Sequence, residues 1–425
     1  MKIVSGAEHA RIAKLMRAGW NAPEGVAEIV AEILADVRAR GDAAVIECAR
    51  RFDDGRFDIS KLRVAIPMHE GARSLVTPGV AAALEIAKSR IARFHERQRR
   101  ADLSYAEEDG TRYGFYLRPL ESIAAYVPAG SAMSVLATVI PAKTAGVHRI
   151  VVLAAPDAQG RVHPAVLYAC SLCGVDELYA VGGAQAVAAA AFGTESIAAV
   201  EKIVGPGGVW VTEAKRQVFG RCGIDGIAGP SEVLVVADDG ANSEFVVGEL
   251  LAAAEQDVRA VLAVVSESRS LLDAVEQLVD TLDVKTMQRG EVIAHVLDRN
   301  CHLVHANSRE ELFDVIEHFA PAVLSLQVRD AAPYLPRIRR AGIVFVGDLT
   351  PSASGTYLGG TNTVQPTSGT VRFSSGLSLM EFVRTFAVLE NSAERINDDA
   401  QSIAELAEIE GLPQHAQAAR MRVGG

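Results

Sequence analysis

From residue 123 onward, short β-branched runs and helical stretches take turns along the chain, and that order constrains the fold more than any other feature of the sequence. Residues 123–127, 150–154, 177–181, 202–204 and 233–237 read as strands, and 135–145, 164–172, 184–191 and 209–218 as the helices between them. Strands joined through helices pair in parallel, and the helices cover both faces of the sheet, so the pattern predicts a doubly wound, Rossmann-like α/β domain over residues 123–234. A second alternation, with helices at 243–256 and 269–282 and strands at 260–265 and 343–346, is expected to join residues 20–122 in one discontinuous α/β domain, 20–122 and 235–370. Residues 1–19 read as an N-terminal arm of the kind that packs on a partner subunit, and 371–425 as a C-terminal helical domain.

Charge removes several function classes. The net charge of −11 and a pI near 5.5 oppose a phosphate backbone, and the basic run at 93–100 reads as a solvated helix face, so no nucleic acid is expected. The most apolar window, 179–200, is mostly alanine and interrupted by Gly182, Gly183, Gln185 and Glu195, too weak for a membrane span. The N-terminus lacks the apolar core of a secretory signal, and five scattered cysteines imply reduced thiols, both pointing to the cytoplasm. The pair Cys170 and Cys173 has metal or redox spacing but no second pair, and reads as two buried helix cysteines.

Two turns carry ligand chemistry. Gly205-Pro206-Gly207-Gly208 lies between a strand and a helix, where free amides and the helix dipole favour an anion such as a pyrophosphate, although a tight turn without ligand fits equally well. No acidic residue stands convincingly at a strand end about 20 positions later to hold a ribose. Gly182-Gly183-Ala184-Gln185 makes a similar junction, with Gln185 offering a donor and an acceptor. No histidine pair has the spacing of a zinc enzyme on a helix.

The runs Val181-Gly-Gly-Ala-Gln-Ala, Val204-Gly-Pro-Gly, Asp225-Gly-Ile-Ala-Gly-Pro-Ser-Glu, Ala341-Gly-Ile-Val-Phe-Val-Gly and Glu410-Gly-Leu-Pro-Gln-His, spread over almost the whole chain, closely resemble the histidinol dehydrogenase family. The resemblance implies two large Rossmann-like domains with parallel sheets, small helical N- and C-terminal segments, and an intertwined homodimer. It also implies zinc- and NAD-dependent oxidation of L-histidinol through the aldehyde to L-histidine. Carried over by position, the cofactor residues are Tyr126, Gln185 and Gly208, the last standing where the family has Asn. The substrate residues are Ser231, Glu410 and His415.

The family's catalytic Glu-His pair falls on Ala322 and Val323, and its zinc ligands fall on Ala253, Gln256, Thr356 and His415, of which only His415 keeps its identity. Glu317 and His318, about 7 Å away along a helix, do not replace the pair. From these exchanges the zinc site is expected to be empty. The chain is expected to be a zinc-independent, NAD-dependent oxidoreductase for a small polar alcohol or amino alcohol other than L-histidinol, with His415 as base and Glu255 and Glu410 as helpers. The alternative is a non-catalytic small-molecule-binding or regulatory protein, and true zinc-dependent L-histidinol dehydrogenase activity stands last.

Overall fold

The computed structural model describes residues 3–5 and 22–423. In chain order the strands are β1 (Ile3–Ser5), β2 (Leu103–Ala106), β3 (Arg112–Pro119), β4 (Ser122–Val127), β5 (Arg149–Ala154), β6 (Glu177–Ala180), β7 (Lys202–Val204) and β8 (Gly223–Ile224), then β9 (Glu232–Ala237), β10 (Val261–Ser266), β11 (Cys301–His305), β12 (Val323–Gln327), β13 (Ile343–Val346) and β14 (Val383–Glu390). They form two parallel sheets, ordered β6-β5-β4-β7-β8 and β1-β11-β10-β9-β12-β13, and one antiparallel sheet, β14-β3-β2.

The first sheet is apolar on both faces because helices cover both. The helix Gly183–Phe192 shows why: Ala184 through Ala191 are all buried, and a helix apolar all round must be covered all round. One side lies on the sheet, and the other meets the helix Val26–Arg40, whose buried stripe Val26, Val30, Leu34 and Val37 has helical spacing. This corrects the expected partner of residues 20–122. Their helices, including Pro78–Glu96, share the core of the first sheet rather than joining residues 235–370. An amphipathic stripe states that a face must be buried, but not against which surface.

The second sheet alternates between two cores. Val233, Val235 and Ala237 of β9 face the helices Ser243–Ala254, Arg269–Thr281 and Gly290–Arg299, while Leu234 and Val236 face the helix Arg309–Phe319. The C-terminal segment is not purely helical: β14 pairs with β3 along its whole length before the helices Ala393–Ile409 and Pro413–Arg420 pack on each other through Ala404, Ala407 and Ala416. An ion pair of 2.7 Å between Arg395 and Asp109 ties these helices to the β2–β3 hairpin. Of the expected arm, residues 3–5 form β1 at the edge of the second sheet, and 6–19 lie outside the described residues. Among the described residues no helix is long and apolar enough to cross a membrane.

Candidate active site

In the first sheet the chain leaves β4 on one side toward β5 and returns on the other at β7, the crossover at which open α/β sheets bind ligands beyond their carboxyl ends. Tyr126, near the end of β4, is buried, and its hydroxyl accepts a hydrogen bond from the Gly183 amide at 3.2 Å. Burial pushes its phenol above the usual range, so the hydroxyl stays protonated and retains a proton to donate. Gln185 is buried in the first turn of the adjoining helix. Tyr126 and Gln185 therefore meet at one turn.

The second glycine turn presses on the same strand. Gly205 has φ +112°, and a Cβ there would lie 2.4 Å from the Tyr126 carbonyl oxygen, so only glycine fits. A buried ion pair of Lys215 and Asp225 clamps this turn from beneath: Asp225 accepts from the Gly205 amide at 2.7 Å and Lys215 donates to the Gly205 carbonyl at 3.0 Å. Gly208, by contrast, caps the helix Val209–Val218 with φ −70° and open space where a Cβ would stand. The family's asparagine would be accommodated there, so its loss removes a contact without reshaping the turn.

Three cavities line these strand ends. One of about 350 Å³ lies against Asp53, Gln185 and Trp210, and one of about 460 Å³ against Gly130, Asp157 and His163. The third, about 550 Å³, runs from Gly130 and Ser134 to Thr356 and Tyr357.

At the amino edge of the second sheet the Ser231 hydroxyl donates to Gln256 Oε1 at 2.6 Å. Val233 of β9 is in register with Val323 of β12, which sets Glu232 beside Ala322 on the same face. Ala322 is buried and Val323 half-buried, and neither can move a proton. Glu317 is engaged elsewhere, accepting from the Arg339 amide at 2.8 Å. Glu410 and His415 are exposed on the C-terminal helices, whose contacts run to each other and to the hairpin rather than to either cluster.

Sequence reasoning missed Glu232, whose signal was a carboxylate opening the otherwise apolar strand Glu-Val-Leu-Val-Val-Ala. It is buried, with Oε2 lacking a partner, and desolvation lifts its carboxyl to about 7 against the opposing pull of the Gly369 and Ser368 amides. The folded state then holds a proton that an unfolded glutamate, titrating near 4.5, has released. Stability is full below about pH 4.5 and falls as pH rises to about 7, by about 3 kcal/mol. Glu232→Gln should abolish this fall, leaving the variant more stable than the parent at pH 8 in urea unfolding; parallel pH profiles would refute it.

The five cysteines are unpaired, and burial pushes Cys173 up to about 12, which keeps it an unreactive thiol. A zinc group can be tested on the donors present. Gln256 Oε1 already accepts from Ser231, the Thr356 hydroxyl bonds back to the Ser352 carbonyl at 3.2 Å, and Ala253 offers no ligand atom. Among the described residues no three His, Cys, Asp or Glu side chains converge as a metal set. The donors of one chain do not fit the group, and no step below is routed through it.

Residues 17–423 match the family model described as histidinol dehydrogenase. The chain is 42% identical to a histidinol dehydrogenase of Rhodospirillum rubrum over 418 residues, covering 97% of this chain and 96% of that protein. The chain belongs to the histidinol dehydrogenase family. A histidinol dehydrogenase of Bacillus cereus is 39% identical, with 96% and 95% of the two chains covered. The crystal structure of histidinol dehydrogenase from Elizabethkingia anophelis superposes with a TM-score of 0.92 at 30% identity, covering 100% of this chain and 98% of that one.

This relationship overturns two expectations. The zinc-independent oxidoreductase acting on an alcohol other than L-histidinol gives way, because identity near 40% over nearly the full length with proteins of the histidinol dehydrogenase name favours the ordinary activity of the family. The expectation that zinc is absent falls with it. Exchanged ligands in one chain describe that donor set alone and say nothing of what a second copy and water supply.

Proposed function

We propose that the chain is an NAD-dependent oxidoreductase that converts L-histidinol to L-histidine as a homodimer. The observation that carries this reading is the match to histidinol dehydrogenases over 97% of the chain. NAD⁺, when bound, would supply the hydride acceptor: the alcohol carbon would give up one hydride and its hydroxyl one proton, forming the aldehyde. Water would add to the aldehyde, and the hydrate would lose a second hydride, which bound NAD⁺ would accept, together with a proton, leaving the acid. The chain must therefore hold a dinucleotide and orient a small cation beside it.

Tyr126 and Gln185 take the dinucleotide at the carboxyl end of β4, with the two glycine turns approaching its phosphates. Ser231, fixed by Gln256, holds the substrate, and a second copy brings Glu410 and His415, which are exposed and bonded to nothing else through their side chains among the described residues. Glu410 would pair with the substrate's ammonium, and His415 would take a proton in place of the side chains missing at Ala322 and Val323. The dimer reading is supported by the apolar surface of this tail: Leu406 is 64% exposed, Ile409 83% and Leu389 60%.

Purified protein supplied with NAD⁺ and L-histidinol, with and without added zinc, should form two NADH per histidinol, and histidinol should be preferred over other amino alcohols. Bound NAD with no NADH formed from histidinol, or a clear preference for a different alcohol, would sink the reading.

A further inference from the structure

Turning an aldehyde into its hydrate needs a water molecule and a group that takes its proton, and the side chains at Ala322 and Val323 cannot take one. The strand register sets Glu232 beside Ala322 on the same face of the second sheet. Its residue is only 6% exposed, and Oε2 is buried with no hydrogen-bond partner. A carboxylate kept for architecture alone is expected to have its acceptors filled, because buried polar groups left unpaired are few and each one asks for a reason. The backbone amides of Ser368 and Gly369 face it, yet desolvation outweighs their pull and lifts the carboxyl to about 7, a value suited to a base that works near neutral pH.

The loop that brings these amides is strained. Ser368 has φ +57° and Gly369 φ +68°, and the left-handed region is disfavoured for a serine, the kind of cost that folds retain at working sites. Thr367 pins the loop to the segment before β9: its hydroxyl accepts from the Gly229 amide at 2.5 Å, and its amide donates to the Ile227 carbonyl at 3.0 Å. That segment ends at Ser231, whose hydroxyl is fixed by Gln256. Successive residues of an extended chain stand about 3.8 Å apart and point to opposite faces. A small molecule lying across the amino end of the sheet therefore meets Ser231 on one side and Glu232 on the other. An amide that donates to a water oxygen and a carboxylate that accepts a water hydrogen leave the second lone pair of that oxygen free to attack carbon.

We propose that Glu232 is the base that activates water for the second half of the reaction, the addition of water to the aldehyde. The proposal rests on the histidinol reading above and supplies a group which that reading leaves unassigned. One O–H bond of water breaks as its oxygen bonds the aldehyde carbon, and Glu232 takes the proton. The electron pair of the carbonyl double bond moves onto its oxygen, which takes the proton that His415 gained when the alcohol was oxidised, so the hydrate forms without change of net charge. Glu232 then releases its proton to solvent. Ala322 matters by being small and neutral: a carboxylate there would share one proton with Glu232, whereas alanine leaves Glu232 to ionise alone.

Full-length protein supplied with NAD⁺, zinc and L-histidinol at about pH 8, with semicarbazide present to trap free aldehyde, tests this. Wild type should form two NADH for each histidinol consumed and leave little trapped aldehyde. In Glu232→Gln the second oxidation should slow by roughly a hundredfold more than the first, so the yield falls toward one NADH per histidinol and the trapped aldehyde accounts for the rest. A residue that only holds the fold would slow both oxidations together. Urea unfolding verifies that the variant is folded, and Glu232→Leu, which places no polar group in the buried position, gives a second reading of the same ratio if the glutamine variant folds poorly. Two NADH per histidinol in folded Glu232→Gln, or both oxidations slowed in the same proportion, would overturn the role of Glu232 while leaving the histidinol reading standing. No NADH from wild type and histidinol would instead overturn that reading.

Discussion

Asp225→Ala should destabilise the protein by about 3–5 kcal/mol, because it strands a charged lysine in the core. The side chains of Lys215 and Asp225 are 2% and 3% exposed, so neither charge is rescued by water. The substitution also orphans the Gly205 amide, which now donates to Asp225 at 2.7 Å. Urea unfolding at fixed protein concentration measures the loss, and the double substitution Lys215→Met with Asp225→Leu should recover much of it, since two apolar side chains of similar volume leave no buried charge. Affinity for NAD should remain reduced in the double variant, because the clamp on the Gly205 turn is gone. A loss below about 1 kcal/mol for Asp225→Ala would show that the pair is dispensable, against the usual cost of a buried ion left alone.

His415→Ala should lower kcat by about a hundredfold or more, the usual weight of a group that handles a proton, while leaving NAD affinity unchanged. The exposed position of His415 makes a stronger form of this prediction possible. If one copy supplies His415 to the dinucleotide turn of the other, a mixture of His415→Ala and Gln185→Ala subunits contains dimers in which one site has both groups intact. Activity should then rise on mixing two nearly inactive proteins. No rise, with exchange of subunits verified, would place His415 outside the reaction or within its own chain's site.

Elements whose environment is uniform were legible in the sequence. β9 is apolar at every position after Glu232 because helices cover both faces, and the glycine turns after β6 and β7 announce themselves by residue type. Partner choice was not legible: the stripe on Val26–Arg40 demanded a cover, yet the surface that met it was the alanine-rich helix Gly183–Phe192, whose own all-round apolarity was the overlooked signal. The carboxylate beside Ala322, Glu232, was not legible, because strand register is a property of pairing and not of either strand alone. The exchanges at the zinc positions were read correctly as residues but weighed too heavily against full-length kinship.

The strand β1 sets a schedule for the birth of the molecule. Its residues 3–5 pair with 303–305, so this segment, once made, waits for a partner made some three hundred residues later. At roughly 5–20 residues per second that interval is about 15–60 s. Once residue 225 is made, the first sheet has its strands and covering helices to hand, while of the second sheet only the edge strand β1 exists. A nascent chain arrested midway should thus present one folded half and one open sheet edge, the state in which chaperones have most to protect.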